Sequence, residues 1–469
     1  MAQFILAIII SIAILIFFIV KLNVHPVISL FVAGMIAGTI LGNAPVATIT
    51  TIANGFGGTL TSIGMTIIFG SIIACSIRDS GAAKSMVNFF ISLFRGKNLE
   101  LATGLAAFIM SIPVFGDVTM VLISPLCAII SKRQHKAMGV MASMTILPLN
   151  LTHSMVPPTP GILAVSLLLG ADLGMVILWG IVCSLAAYLI TWVLMKNWAS
   201  KDFYPQKPEY IEGVEEAKSS DYRDLLIKED GLPNVVAAMS PILLPVILIA
   251  LASFADMTME EGNAVRTFLD TLGNRNVALF LGVCCGWILA YTHKEKALAS
   301  YNQSSGKKET SVGKMLFNGW VVEALEVALA PLIITGFGGG FAQIIKEAPA
   351  AGELGNVIAQ FGIPGLLVPF VIGAAMECAV GSRTTAGMTA AGLCLPMLGS
   401  LGITPTACAV MIGAGTMVVS HVNDSGWWVS MSMFNMDTGR TFKYNTLVGG
   451  VAGVIAGIIA GILIVVGVM

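Results

Sequence analysis

Ser420-His421-Val422-Asn423-Asp424-Ser425-Gly426-Trp427-Trp428 places a histidine, an asparagine, an aspartate and two serines in the middle of an apolar segment running from about Thr404 to Phe434. That segment is long enough to cross a bilayer. A charge at such depth persists only where it pairs, lines water or binds a ligand. The stretch predicts a membrane-embedded site, and the rest of the chain reads as the frame that carries it.

The composition agrees. Of 469 residues, 56 % are hydrophobic and 11 % charged, against roughly 25 % charged in soluble domains. The expectation is an all-α polytopic membrane protein. Its net charge is −1 and its basic residues fall in short clusters between apolar runs, which build no basic face for nucleic acid. The first apolar run, Phe4 to Val20, lacks a basic region before it and a small-residue cleavage site after it, so it is expected to remain as a helix. The eight cysteines contain no CxxC pattern and sit mostly inside apolar segments. Neither metal, cofactor nor disulfide is expected.

Apolar windows of spanning length fall at 4–20, 27–42, 59–77, 137–169, 174–195, 235–254, 277–292, 315–345, 404–435 and 446–468, which predicts about 10 spanning helices. A further stretch, 99–131, is broken by Pro113 and Gly116, with Arg95 and Lys97 before it and Lys132, Arg133 and Lys136 after it. Basic residues mark the cytoplasmic side, so this stretch reads as a re-entrant hairpin with its tip near 113–117. Such irregular backbone survives only where it lines a cavity. The same rule places both termini outside the inner (plasma) membrane. It puts the mixed-charge linker 199–234, with Pro205, Pro208 and Pro233, in the cytoplasm as a solvated connector.

An internal repeat is visible. Thr152-His153 matches Ser420-His421 at 421 − 153 = 268, and Arg78-Asp79 matches Lys346-Glu347 at 346 − 78 = 268. The same shift carries the hairpin 99–131 onto 367–399. The first half, 1–198, then crosses five times, an odd number, so the second half, 235–469, starts on the opposite side. Inverted halves with paired broken segments are the architecture of secondary transporters, with the site at the midplane.

Four broken segments are expected to form that site. Ile112 to Asp117 contains a proline, a glycine and a tip carboxylate; Asp117 reads either as a proton or ion ligand or as a helix cap. Thr152 to Gly161 has three prolines in four positions, which cannot continue a helix, so a spanning segment unwinds there or two shorter spans are joined by a surface loop. Glu377 to Ala386 offers three hydroxyls and Arg383, a fork suited to a carboxylate, or else an Arg383–Glu377 pair that closes the hairpin. In the opening stretch His421 and Asp424 are either ligands or a hydrogen-bonded pair, and the histidine can titrate near neutrality. The run Gly336-Phe337-Gly338-Gly339-Gly340 has no strand before it and reads as close helix packing or a substrate-facing break. Glu323 and Glu326 read as a solvated face, and Gly55-Phe56-Gly57-Gly58 as close helix contact.

With these segments in hand, the chain resembles the gluconate permease family, the gluconate:proton symporter family of the ion transporter superfamily. The resemblance runs end to end and rests on Ile112 to Val118, on His153 to Gly161 (HxxxPPTPG), on Thr335 to Phe341 (TGxGGxF), on Gly381-Ser382 with Thr384, and on Ser420 to Trp427 (SHxNDSGW). The family usually carries an arginine where this chain has Glu377 and a small residue where it has Arg383. The resemblance implies a non-enzymatic, homodimeric transporter that takes up a sugar acid or related hydroxycarboxylate with protons. Sodium coupling, a D-serine-type substrate and an anion channel stand as alternatives. Expected substrate ligands are Ser154, Thr159, Gly338, Ser382, Arg383, Thr384, Thr385, Asn423 and Ser425. Expected proton-coupling residues are Asp117, His153, Glu377, His421 and Asp424. A membrane-embedded enzyme is not favoured, since no HExxH, GxSxG or cysteine–histidine metal spacing occurs.

Overall fold

The computed structural model describes residues 2–22, 24–112, 116–211, 222–348, 364–421 and 424–469. Among them every regular element is helical. The longer helices of the first half are α1 (Ala2–Ile16), α2 (Pro26–Ile40), α3 (Pro45–Asp79), α4 (Ala82–Leu93), α5 (Leu99–Met110), α6 (Gly116–Gln134), α7 (Met138–Met155), α8 (Pro160–Leu169) and α9 (Leu173–Ala199). Those of the second half are α10 (Val235–Thr258), α11 (Ala264–Gly273), α12 (Arg275–Thr292), α13 (Lys294–Ser305), α14 (Trp320–Lys346), α15 (Val368–Val380), α16 (Arg383–Cys394), α17 (Pro405–Gly415), α18 (Ser425–Met433) and α19 (Val448–Val465).

Among the described residues six segments are long and apolar enough to cross a membrane unaided: α3, α9, Val235–Asp256, α12, Val312–Lys346 and Thr438–Val465. The other four expected windows take a different form. Those at 4–20 and 27–42 hold helices of 15 residues each, α1 and α2. Those at 137–169 and 404–435 are broken, into α7 with α8 and α17 with α18. The window at 59–77 lies inside α3, which starts earlier, at Pro45. The threonines, asparagine and glycines between Thr48 and Gly58 lower the hydropathy of that first part without preventing a helix.

Helix starts recur along the chain. Adding 268 to 99, 116, 138 and 160 gives 367, 384, 406 and 428, against observed starts at 368, 383, 405 and 425. Local chemistry sets several of these starts. Asp172 accepts from Met175 N at 2.7 Å and caps α9; Thr404 accepts from Ala407 N at 3.0 Å and caps α17. Each side chain satisfies a backbone donor that the first helical turn leaves unpaired.

Helices α3 and α14 form the spine. They run antiparallel, Arg78 Nη2 donating to Glu323 Oε2 at 2.9 Å at one end and Thr51 Oγ1 to Glu347 Oε2 at 3.1 Å at the other. Between these ends the backbones nearly touch: a Cβ on Gly55 would stand 2.6 Å from the Gly339 carbonyl oxygen. Small residues at such crossings let helices gain dispersion contacts where lipid supplies no hydrophobic drive. The solvated-face reading of Glu323 is therefore corrected. Arg78, which also pairs with fully buried Asp79 at 2.8 Å, draws that carboxylate into the α3–α14 seam. Trp320 Nε1 at 2.7 Å and Ser300 Oγ at 3.0 Å donate to Asp79 and complete the cluster.

The described parts of the linker are not a free connector either. Asp202 accepts from Tyr444 Oη at 2.8 Å and pairs with Arg440 at 3.1 Å. Arg133 Nη1 donates to the Asp224 carbonyl at 2.9 Å, and Glu229 pairs with Lys84 at 2.5 Å and Lys296 at 2.6 Å. Proline and charge in this segment signalled a loop; which surfaces it binds depended on side chains far away in sequence.

Candidate functional site

Three chain breaks meet in the interior. The first separates α7 from α8: residues 156–159 leave the helix, with a cis bond between Pro157 and Pro158. The surface-loop reading of the three prolines is not met, since Ser154 and Thr159 are buried; the chain leaves the helix inside the protein. Thr159 Oγ1 turns back on the break and donates to the Val156 carbonyl at 2.8 Å, supplying a partner for backbone that the helix no longer serves.

The second break is the hairpin tip between α15 and α16. Gly381, at φ +70° and ψ 26°, ends α15 in the left-handed region that suits glycine. Ser382 then caps α16, its Oγ accepting from Thr385 N at 3.5 Å and from Thr385 Oγ1 at 3.2 Å. Arg383 is thereby the first residue of α16.

The third break lies between α17 and α18, where residues 416–421 and Asp424 are outside any helix. Asp424 caps α18, its Oδ1 accepting from Gly426 N at 2.8 Å. Its Oδ2 accepts from Ser420 Oγ at 2.6 Å and stands 3.3 Å from Arg383 Nη1. The Arg383–Glu377 pairing is thus not formed; Arg383 is held by Asp424, and neither oxygen of fully buried Glu377 has a hydrogen-bond partner among the described residues. The side-chain pairing of His421 with Asp424 is likewise replaced. His421 Nε2 lies 2.9 Å from the Cys378 carbonyl, while Asp424 N takes the His421 carbonyl at 2.9 Å.

A small cavity of about 10 Å³ lies where these breaks converge, lined among others by His153, Ser154, Gly161, Arg383, Gly413 and Thr416. Buried polar atoms with no hydrogen-bond partner among the described residues surround it: His153 Nδ1, Ser154 Oγ and Arg383 Nε. Such atoms are costly in an apolar interior, and their convergence on one void marks a place built to receive a polar group. Gly161 lets α8 approach α16, since a Cβ there would sit 3.1 Å from Thr384 Cα.

The expected site residues separate accordingly. His153, Ser154 and Arg383 line the cavity, and Ser382, Thr384, Thr385, Glu377, His421 and Asp424 lie on the tip and loop beside it. Gly338 stands elsewhere, against Met388 of α16, where a Cβ would be 3.3 Å from the Met388 Cβ. Asn423 lies outside the described residues, as do the side chains of Asp117 and Ser425. The first hairpin reaches the region through α5, whose neighbour Ser111 hydrogen-bonds Thr152. Sequence reasoning missed Thr446, which donates to the Ser420 carbonyl at 2.5 Å and accepts from Trp427 Nε1 at 3.1 Å. No linear signal marks it, because it serves this loop from the segment leading into α19.

Residues 3–466 match the model of the GntP family permeases. The chain belongs to the GntP permease family. This GntP family permease is similar to the gluconate permease of Pseudomonas aeruginosa, 28 % identical, with 94 % of this chain and 93 % of the relative covered. It is similar to the Gnt-II system L-idonate transporter of Escherichia coli at 26 % identity, covering 93 % and 94 %. The D-serine transporter DsdX of Escherichia coli is 28 % identical, covering 95 % and 94 %. In fold the permease is similar to the YdaH transporter of Alcanivorax borkumensis, with a TM-score of 0.62 at 16 % identity over 94 % of this chain and 99 % of that one. MtrF of Neisseria gonorrhoeae gives 0.63 at 13 %, over 94 % and 96 %. The permease is a multi-pass membrane transporter, not an enzyme.

Proposed function

We propose that this permease takes up a small hydroxylated carboxylate, gluconate or a related sugar acid, together with a proton, by alternating access between two inverted halves. The observation that carries the reading is Arg383, a guanidinium at the foot of α16 whose Nε has no hydrogen-bond partner among the described residues and whose Nη1 holds an internal carboxylate. A planar fork that already binds one carboxylate inside the protein is suited to bind another. Ser154, Thr159, Ser382, Thr384 and Thr385 are the hydroxyl partners assigned to the substrate, with Asn423 and Ser425. The relatives named for gluconate and L-idonate support a sugar acid.

The cavity of about 10 Å³ holds one water-sized sphere and no six-carbon acid. Substrate entry requires α8, α16 and α17 to part, which supports alternating access over a standing pore. Asp117, His153, Glu377, His421 and Asp424 are the groups assigned to proton coupling. The test is a screen of acids for thermal stabilisation of the purified protein, followed by uptake into proteoliposomes with and without a pH gradient. Flux that no proton or sodium gradient can make concentrative overturns symport.

A second reading, an amino acid of the D-serine type, is favoured by Glu377, whose two unpartnered oxygens could take a substrate ammonium while Arg383 takes its carboxylate. DsdX supports it. Stabilisation by D-serine and not by gluconate, lost in Glu377→Gln, selects this reading.

A further inference from the structure

The interior around Arg383 holds more carboxyl than cationic charge. Facing Asp424 are Arg383 at the start of α16, Glu377 and Cys378 at the end of α15, His153 at the end of α7 and His421 in its own loop; Asp117 opens α6, which packs on α18. Among the described side chains one guanidinium meets two carboxyls. Asp424 is fully engaged, by Arg383 at 3.3 Å, Ser420 Oγ at 2.6 Å and Gly426 N at 2.8 Å. Among the described residues no hydrogen bond reaches Glu377, which is 0 % exposed. The guanidinium is thus committed to Asp424, and a second carboxylate in this interior has no other described cation to pair with.

We propose that Asp424 is an internal competitor for the substrate, occupying Arg383 in the empty site and yielding it only on taking up a proton. The inference rests on the carboxylate reading above and names how that site is regulated. A proton from the aqueous side that delivers substrate forms an O–H bond on Asp424, whose negative charge is thereby removed. The substrate carboxylate then pairs with Arg383 in its place. On the other side the substrate leaves as an anion, the Asp424 O–H bond breaks, its proton passes to water, and the Arg383–Asp424 pair re-forms. Without that proton, two anions would share one guanidinium in a medium that screens them poorly. Ser420 remains beside Asp424 throughout, since its hydroxyl can donate to the carboxylate or accept from the acid.

The test is gluconate binding to the purified full chain as a function of pH, by calorimetry, for the wild type, Asp424→Asn and Arg383→Ala. Wild-type affinity is expected to rise about tenfold for each pH unit lowered, one proton being bound with each substrate. Asp424→Asn removes the competitor's charge and is expected to bind at least as tightly with no such slope. A flat wild-type profile overturns the inference whether or not any variant folds. So does a slope retained in Asp424→Asn. The underlying carboxylate reading fails separately, if Arg383→Ala binds gluconate as tightly as the wild type.

Discussion

Arg383 Nη1 stands 3.3 Å from Asp424 Oδ2, although the residues are 424 − 383 = 41 positions apart and each belongs to the N-terminus of a different helix, α16 and α18. A cation at a helix N-terminus is opposed by the helix dipole, whereas an anion there is favoured. Asp424 therefore supports two helix starts at once, capping its own and neutralising the charge on the other.

Arg383→Ala is expected to weaken carboxylate binding by about 10- to 100-fold, from the ~1.5–3 kcal/mol of a charged hydrogen bond. Arg383→Lys recovers only part, because an ammonium is a point charge without the bidentate fork. Isothermal titration with the acid found in the stabilisation screen measures both, with extraction from the membrane and size-exclusion elution checking that each variant folds.

The α3–α14 seam makes an asymmetric prediction. Arg78→Ala strands Asp79, which is 0 % exposed, and Glu323 together, and is expected to cost about 3–5 kcal/mol. Glu323→Gln leaves Arg78 paired with Asp79 and costs less. Melting temperatures of the two variants decide it; equal losses contradict the assigned pairing.

Glycine substitutions should split by their surroundings. A Cβ on Gly180 of α9 would collide with the Met155 carbonyl oxygen just before the α7–α8 break. Backbone cannot yield cheaply there, so Gly180→Ala is expected to cost about 1–3 kcal/mol or more. Gly64→Ala on α3 meets nothing within 4 Å and is expected to be neutral or to gain up to ~1 kcal/mol from helix propensity. Thermal unfolding in detergent reads both.

The linker contact should fail in acid. Partial burial alone would raise the Asp202 carboxyl, but hydrogen bonds from Arg440 and Tyr444 outweigh it and hold the group below its usual value. The sign follows: the contribution is present at pH values above the unfolded carboxyl's, near ~3.9, and is lost as pH falls through the lower folded value. Limited proteolysis of 199–211 is expected to accelerate on acidification below about pH 4, and Asp202→Asn should be cut fast at neutral pH as well.

The Ser420–Trp428 stretch, the three prolines at 157–160 and the glycine–serine tip at 381–382 were each legible as breaks, because proline, glycine and clustered polar groups cannot be absorbed into an unbroken apolar helix. Membrane class followed from composition, and the family from the motifs at those breaks. Pairing was not legible. Glu377 looked able to neutralise Arg383, being close in sequence and on the same hairpin, and Glu323 looked solvated because its partner Arg78 lies 323 − 78 = 245 positions away.

The sequence by itself determined that this chain is a membrane protein with broken helices, since both conclusions depend on local composition and backbone permissions that travel with each residue. Only the tertiary structure decided which carboxylate holds Arg383, which glycines touch backbone and where the linker is tied. Those outcomes depend on distances of a few ångströms between segments far apart in sequence, and no local propensity encodes them.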